Sequence, residues 1–480
     1  MNPMITLPRC SVATVVVLVS LAAGVSPARV AAQDSTTTIR YRGLTVTPVG
    51  FVAAEGVWRQ RNMTADIGSS YNAIPFAGST NGHLSEMRLT GRQSRLAVAI
   101  DAKVDATKLN GFWESDFLGV GTSSNSNESN SYVLRLRQFY GAAAFSNGWT
   151  VSAGQMWSLA TSNKKGMANR SEAVPVTIEA QYVPGFNWAR QFGFRAAKTI
   201  NDVTTFGVAI EESQTTFSAR NAPTNFVLGQ AGGSLLNATT NYSTDVTPDI
   251  VAKLAFDPKG FGHWELKAIG REMRDRVVDP TNAAGGSRNR TTSAYGVGFG
   301  TYFPVMHGKR DMLDIGLNGL YGKGIGRYGS AQLPDATVNI DGALEPIRAT
   351  HALLSLEAHP STTLDVYVYG GVEYADRTAF VNSAGKGVGY GSELNNNSGC
   401  ETEAAPTNQT TPNSGTCNAD TRAIYQGALG FWYRFYKGAS GTMQWGVQYT
   451  YTSRNTWSGL SVQPKATDHM LFGSFRYVLP

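Results

Sequence analysis

The sequence predicts an all-β fold, a sixteen-stranded antiparallel transmembrane β-barrel with short turns at one rim and long loops at the other. Three observations predict it. Apolar and polar residues alternate in successive runs from residue 45 to the C-terminus, the period-two signature of strands whose two faces meet different surroundings. The joints between runs are short and long in turn. Beyond residue 32 no run approaches the roughly 20 apolar residues a membrane helix requires, although only 16% of residues are charged and Gly, Tyr and Phe number 52, 20 and 21. A barrel averages out as a soluble chain would, because half of each strand faces water.

The first 32 residues are of a different kind. A polar start ending at Arg9 precedes the apolar run SVATVVVLVSLAAGV (11–25), and Val30-Ala31-Ala32 offers small residues before Gln33. This reads as a secretory signal peptide cleaved after Ala32; the alternative, a retained anchor, needs a longer core. Cys10 leaves with the signal. Cys400 and Cys417 remain in an oxidising compartment, bracketing the polar ETEAAPTNQTTPNSGT. A disulfide closing this loop contributes roughly 3 kcal/mol on the chain-entropy model; two free thiols are the alternative. Cleavage removes Arg9 and Arg29 and no acid, so the net charge falls from +6 to +4. With no basic tract beside it, that charge argues against a nucleic-acid partner. Residues 33–44 then form a short periplasmic segment, and 45–480 the barrel.

Along the barrel the short joints are 105–107, 146–148, 201–202, 257–260, 307–309, 359–361 and 438–441, rich in Asp, Asn, Gly, Pro and Ser with known turn preferences. The long joints are 62–83, 120–131, 158–185, 213–247, 277–290, 322–346, 375–421 and 454–466. Sixteen strands of about 11 residues then leave eight loops of roughly 30. Short periplasmic turns opposite long extracellular loops is the asymmetry of an outer-membrane barrel; a soluble sandwich has no reason to segregate them so.

Each strand has a readable parity. Over 96–104 Leu96, Val98 and Ile100 share a face, whereas over 86–93 the apolar residues are the odd Met87 and Leu89. The switch near Gln93-Ser94 implies a β-bulge or a break, unless 84–92 simply stands above the membrane. Trp113 and Phe117 oppose Glu114 and Asp116. In 134–137 two leucines alternate with Arg135 and Arg137. Leu313, Ile315 and Leu317 oppose Asp314 and Asn318. Leu364, Val366 and Val368 oppose Asp365, Tyr367 and Tyr369. Met443, Trp445, Val447, Tyr449 and Tyr451 oppose Gln444, Gln448 and Thr450. The last strand, 468–480, carries Leu471, Phe475, Tyr477 and Leu479 on one face, and finishes in Leu-Pro. One face therefore suits lipid with aromatic ends; the other is too polar for a dry sandwich core and calls for water.

Several stretches resemble the Gram-negative porins, and within them the DcaP-like, dicarboxylate-associated family: TPVGFVAAEG (47–56), RQSRLAVAIDAKV (92–104), FWESDFLG (112–119), LRLRQFYGAAAF (134–145), VSAGQMWSL (151–159) and VPVTIEAQYVPGFNWARQFGFRAAK (174–198). The specific part covers roughly the first 150 residues after the signal; beyond it only strand count and rhythm agree. The Leu-Pro ending departs from the aromatic terminus usual in outer-membrane strands. The resemblance implies a homotrimer of sixteen-stranded barrels, each with a loop folded into its lumen. The coiled-coil extension of some members has no counterpart here, since 33–40 is too short for one.

Placing the polar parity in the lumen gives the basic residues Arg95, Arg135, Arg137, Arg195, Arg434 and Arg476, with Lys267 and Arg271, while Arg88 and Arg92 belong nearer the outer mouth. In a closed barrel strands 16, 1, 2 and 4 lie side by side, so Arg476, Arg95, Arg135 and Arg137 form one basic wall. The constriction loop, 158–185, adds Lys164, Lys165 and Arg170, and also Glu172 and Glu179. A basic wall facing loop carboxylates would set a transverse field that filters solutes by charge. The expectation is preference for small anionic, carboxylate solutes, because guanidinium groups pair with carboxylates bidentately. The alternative is that these arginines only neutralise lumen carboxylates such as Glu114, Asp116, Glu265, Glu357 and Glu373.

Loop acids such as Glu128, Glu393, Glu401 and Glu403 could bridge divalent ions or lipopolysaccharide, or be solvated charge; outward aromatics suit an outer-membrane lipid boundary. Inward Tyr367 and Tyr369 are candidate sugar platforms. No Cys/His spacing suggests a metal, no cofactor motif appears, and the six histidines belong to no HExxH. With no GxSxG either, an enzyme is not expected. The expected function is a water-filled channel for passive diffusion. The main rival is an outer-membrane barrel acting as an adhesin or receptor through its loops, and a second is an exported soluble β-repeat protein.

Overall fold

The computed structural model describes residues 38–119, 132–231, 241–279, 286–307, 311–403, 417–460 and 462–480. The signal peptide read at 1–32, Cys10, the loop 120–131 with Glu128, and part of the turn at 307–309 lie outside the described residues.

Sixteen strands form one antiparallel sheet. They are β1 (Leu44–Arg59), β2 (Glu86–Thr90 with Arg95–Val104), β3 (Thr107–Gly119), β4 (Val133–Ala144), β5 (Trp149–Trp157), β6 (Arg190–Thr199), β7 (Thr204–Glu211) and β8 (Asp249–Phe256). There follow β9 (His263–Val277), β10 (Arg288–His307), β11 (Asp311–Lys323), β12 (Arg348–Ala358), β13 (Leu364–Ala375), β14 (Thr421–Gly438), β15 (Gly441–Thr456) and β16 (Lys465–Val478). Each strand pairs with the next, and β16 pairs with β1 from Phe51 opposite Val478 to Arg59 opposite Met470. That last ladder closes the barrel, so that its wall has no free edge strand. A short strand, Ile39–Tyr41, folds back on the start of β1.

The short turns are built by the residues that mark them. Asp105 takes a left-handed φ of 50° and Gly148 one of 86°. The Asn201 carboxamide oxygen accepts from the Val203 and Thr204 amides at 2.9 and 2.7 Å, an Asx turn that reverses the chain between β6 and β7. The parity switch in β2 is a bulge. Thr90 pairs with Glu55 and Arg95 with Phe51, so five steps of β2 oppose four of β1. Ser94 fills the gap, its hydroxyl accepting from the Ala53 amide at 3.0 Å. On either side of it the outward residues change from Met87 and Leu89 to Leu96 and Ile100.

The two faces are as the alternation requires. Leu134 and Leu136 are 51% and 43% exposed, whereas Arg137 is 3% exposed and points inward. Gln138 beside it is buried too, at a register shift in the β3–β4 ladder beyond which Phe139 is the outward residue. Strand lengths depart from the even spacing expected: β10 runs 20 residues and β14 runs 18, well beyond the roughly 11 that cross a bilayer. The interior also differs from a wholly wet lumen. A buried apolar cluster joins Trp157, Ile178, Val183 and Phe186 to Leu353, Trp432, Met470 and Phe472 of the wall. It forms where the long connection between β5 and β6 lies against inward aromatic and aliphatic side chains.

Candidate functional site: the barrel interior

Adjacent antiparallel strands set inward residues side by side, and on β2 to β4 these are charges of alternating sign. Arg95 pairs in register with Asp116, and Asp116 with Arg135. Arg135 grips Asp116 with two bonds, Nε to Oδ1 at 2.9 Å and Nη2 to Oδ2 at 2.7 Å. Arg137 donates to Glu114 through Nε and to Asp116 through Nη1, both at 2.9 Å. Arg95 meets Glu114 at 3.3 Å. At the seam, Arg476 reaches Glu55 of β1 at 2.8 Å, its guanidinium lying 4.5 Å from the Phe51 ring. Arg476, Arg95, Arg135 and Arg137 therefore share one wall, and the carboxylates that pair with them belong to that wall rather than to the loop. Arg434, on β14, pairs with Asp365 of β13.

The connection between β5 and β6 is fastened to the opposite wall. The hydroxyl of Tyr369 accepts from the Val176 amide at 3.0 Å, and the side-chain oxygen of Gln448 accepts from Ile178 at 2.7 Å. Glu373 accepts from Gly185 at 2.8 Å. Two buried lysines hold its first turn. Lys253 Nζ donates to the Thr161 carbonyl at 2.6 Å and to Asn163 at 2.8 Å; Lys267 Nζ donates to the Ala160 carbonyl and the Ser162 hydroxyl, both at 2.9 Å. Glu265 lies between the two ammonium groups at 3.1 Å from each. A charge so buried is stable only with such partners.

Of the loop's charged residues, Arg170 lies against the β2–β4 wall, over Phe112 of β3, while Lys164 and Glu179 turn to other partners. Lys164 reaches Glu357 of β12 at 3.0 Å, while Lys165 is exposed. Arg170, also exposed, lies 4.7 Å from the Phe112 ring. Glu179 is sealed and accepts from the Ser69 amide at 2.8 Å and the Ser69 hydroxyl at 2.7 Å, so it ties two loops together. Burial pushes the carboxyls of Glu172 and Glu179 up, against the pull of Arg195 on the first and Arg59 on the second. Arg195 finds neutral partners, Asn169 at 2.8 Å and the Trp157 carbonyl at 2.5 Å. Tyr367 and Tyr369, candidates for stacking on a solute, are each 1% exposed and packed under the loop. The reason is that the loop occupies the volume their rings would otherwise show to water.

Three residues escaped the sequence reading. Lys253 shares the inward face of a short strand with Val251 and Ala255, opposite the outward Ile250 and Leu254, and that parity was the available signal. Arg190 opens β6, lies 4.8 and 5.4 Å from the Trp157 and Trp188 rings, and leaves its Nη1 sealed from solvent without an acceptor. Tyr182 gave no signal, because only the loop's path brings its hydroxyl to 3.1 Å from Arg137 Nη2. The topology also gathers Asp314, Glu357 and His359, whose ligand atoms lie within 4.8 Å of one another. The ammonium of Lys164 and the Tyr302 hydroxyl already sit among them, the latter 2.9 Å from Asp314. Cys400 and Cys417 are joined by a disulfide.

No family model and no curated protein matches the chain. Among solved structures, the outer membrane channel DcaP of Acinetobacter baumannii superposes with a TM-score of 0.61 at 17% identity, covering 92% of this chain and 100% of that one. An anion-selective porin from Comamonas acidovorans gives a TM-score of 0.49 at 12% identity over 91% of this chain and 100% of its own. The chain thus has the fold of the DcaP channel, and the stretches that resemble such channels in sequence lie within that fold.

Proposed function

We propose that the protein is an outer-membrane porin, reached through a cleaved signal peptide, that lets small hydrophilic solutes diffuse passively and favours anions such as carboxylates. The observation that carries the reading is the charge balance of the wall. Arg95, Arg135, Arg137 and Arg190 gather around two carboxylates, Glu114 and Asp116, leaving two positive charges in excess where β2, β3, β4 and β6 face the interior. Such an excess in a narrow, poorly polarisable passage raises the local concentration of anions. The DcaP-like fold supports the channel role, and sequence resemblance supports a homotrimer embedded in outer-membrane lipid and lipopolysaccharide.

The test is a planar bilayer with purified protein. Stable conductance steps and a reversal potential of anionic sign in a KCl gradient are expected; a cation-selective channel would refute the charge reading. A second reading, a barrel serving as adhesin or receptor through its long loops, draws on the apolar cluster that fills part of the interior. Absence of any conductance from correctly folded protein would favour it.

A further inference from the structure

We propose that Tyr182, carried into the barrel by the connection between β5 and β6, sets the net charge of the arginine cluster, and that its ionisation turns the channel away from anions. The inference deepens the proposed function and rests on the reading that this cluster governs which ions pass.

The geometry gives the hydroxyl an unusual set of neighbours. Arg137 uses Nε on Glu114 and Nη1 on Asp116, and its remaining Nη2 points at the Tyr182 oxygen at 3.1 Å. The other charged groups acting on that oxygen are Arg95 from β2 and Arg190 from β6. Arg135 is occupied by Asp116. The phenol oxygen is therefore an acceptor in a cluster with more guanidinium groups than carboxylates.

The ring is 7% exposed and fixed. It packs edge-on against Trp157 and Phe186, with centroids 6.2 and 5.2 Å away. From the first long loop, Tyr71 donates its hydroxyl to the Tyr182 carbonyl at 2.6 Å. The hydroxyl of Tyr182 thus cannot swing away from the guanidinium groups to find water.

Burial opposes ionisation of that hydroxyl, but Arg137, Arg95 and Arg190 outweigh it and bring its pKa down to about 8 from an ordinary 10.0. Below that point the phenol is neutral and the cluster keeps both excess charges. Above it the proton leaves to solvent, and the phenolate cancels one of them.

The experiment compares the native channel with Tyr182→Phe in planar bilayers, reading the chloride-to-potassium permeability ratio from about pH 6.5 to about pH 9.5, a span that brackets the phenol's titration. The native ratio is expected to fall on the order of tenfold, because losing one unit charge about 6 Å from a passing ion in water disfavours chloride and favours potassium by roughly threefold each. The Phe variant is expected to lack this fall, any smaller drift it keeps belonging to other groups and being common to both proteins. Difference absorbance at the tyrosinate band gives a readout free of conductance: one tyrosine ionising near pH 8 in the native protein and missing from the variant. A flat native ratio, a variant that follows the native curve, or a Tyr182 that ionises only with the ordinary tyrosines would overturn the assignment. A channel without anion preference at the lowest pH would refute the selectivity reading alone. The drift with pH is measured against the channel's own starting value, so it would still decide the role of Tyr182.

Discussion

Replacing Lys253 with Met tests whether the inward loop is clamped by its lysines. The substitution keeps an unbranched side chain one atom shorter and removes the donor. Two charge-assisted bonds to the loop are lost, to the Thr161 carbonyl at 2.6 Å and to Asn163 at 2.8 Å. Bonds of this kind contribute roughly 1.5–3 kcal/mol each, so the loss is about 3–6 kcal/mol before the relief of no longer burying an ammonium group. Glu265 keeps Lys267 at 3.1 Å and His263 at 3.2 Å, so no carboxylate is stranded. A net weakening of only about 3 kcal/mol raises the undocked population of the loop roughly 150-fold. The assay is single-channel recording, where excess open-channel noise and a larger mean conductance are expected. A second reading comes from trypsin, which should cut faster after Lys164 and Lys165 as the loop leaves the wall. Native conductance, native noise and a native cleavage rate together would refute the clamp.

Arg135→Ala removes one positive charge while Asp116 retains Arg137 at 2.9 Å. The reversal potential should move towards cations, the permeability ratio changing on the order of tenfold, roughly threefold for each ion; an unchanged potential would mean that Arg135 serves only to neutralise Asp116. Gly50→Ala should strain the barrel, because Gly50 has a φ of +130° and an added Cβ would lie 2.1 Å from the Arg95 carbonyl oxygen. A loss of at least about 1–3 kcal/mol is expected, read as a lower midpoint in urea unfolding from lipid vesicles. Replacing Cys400 with Ser opens the 17-residue separation to Cys417 and should release roughly 3 kcal/mol of constraint, seen as faster proteolysis in the loop between β13 and β14 with the barrel's own melting little changed.

The strands were legible because each stands between two solvents. Lipid on one side and a polar interior on the other force period-two alternation, so Leu134 and Arg135 declare their faces without any tertiary information. Even the bulge at Ser94 could be read, since one extra residue reverses every later side chain. What sequence hid lies in the interior, where partners come from distant strands. That Glu179 would turn to Ser69 on another loop, and Lys164 to Glu357 on β12, depends on the route of a connection with no periodic pattern of its own. The wetness of the interior was overestimated for the same reason. Tyr367 and Tyr369 look polar and inward in alternation, yet they are covered once the loop lies over them. Arginines on one wall could be counted, but the two carboxylates of β3 take up part of their charge before any solute does.

The fastening of the inward loop has a consequence for how the molecule is made. The loop follows β5, but its partners are Lys253 on β8, Lys267 on β9, Tyr369 on β13 and Gln448 on β15. None of those anchors exists in the right place until the sheet has curled through most of its circumference. Docking of the loop and joining of β16 to β1 must therefore occur late, and together. Contacts spanning up to 270 positions in the chain are those that slow folding most. The barrel is assembled around an insert that gains its hold only as the last seam shuts.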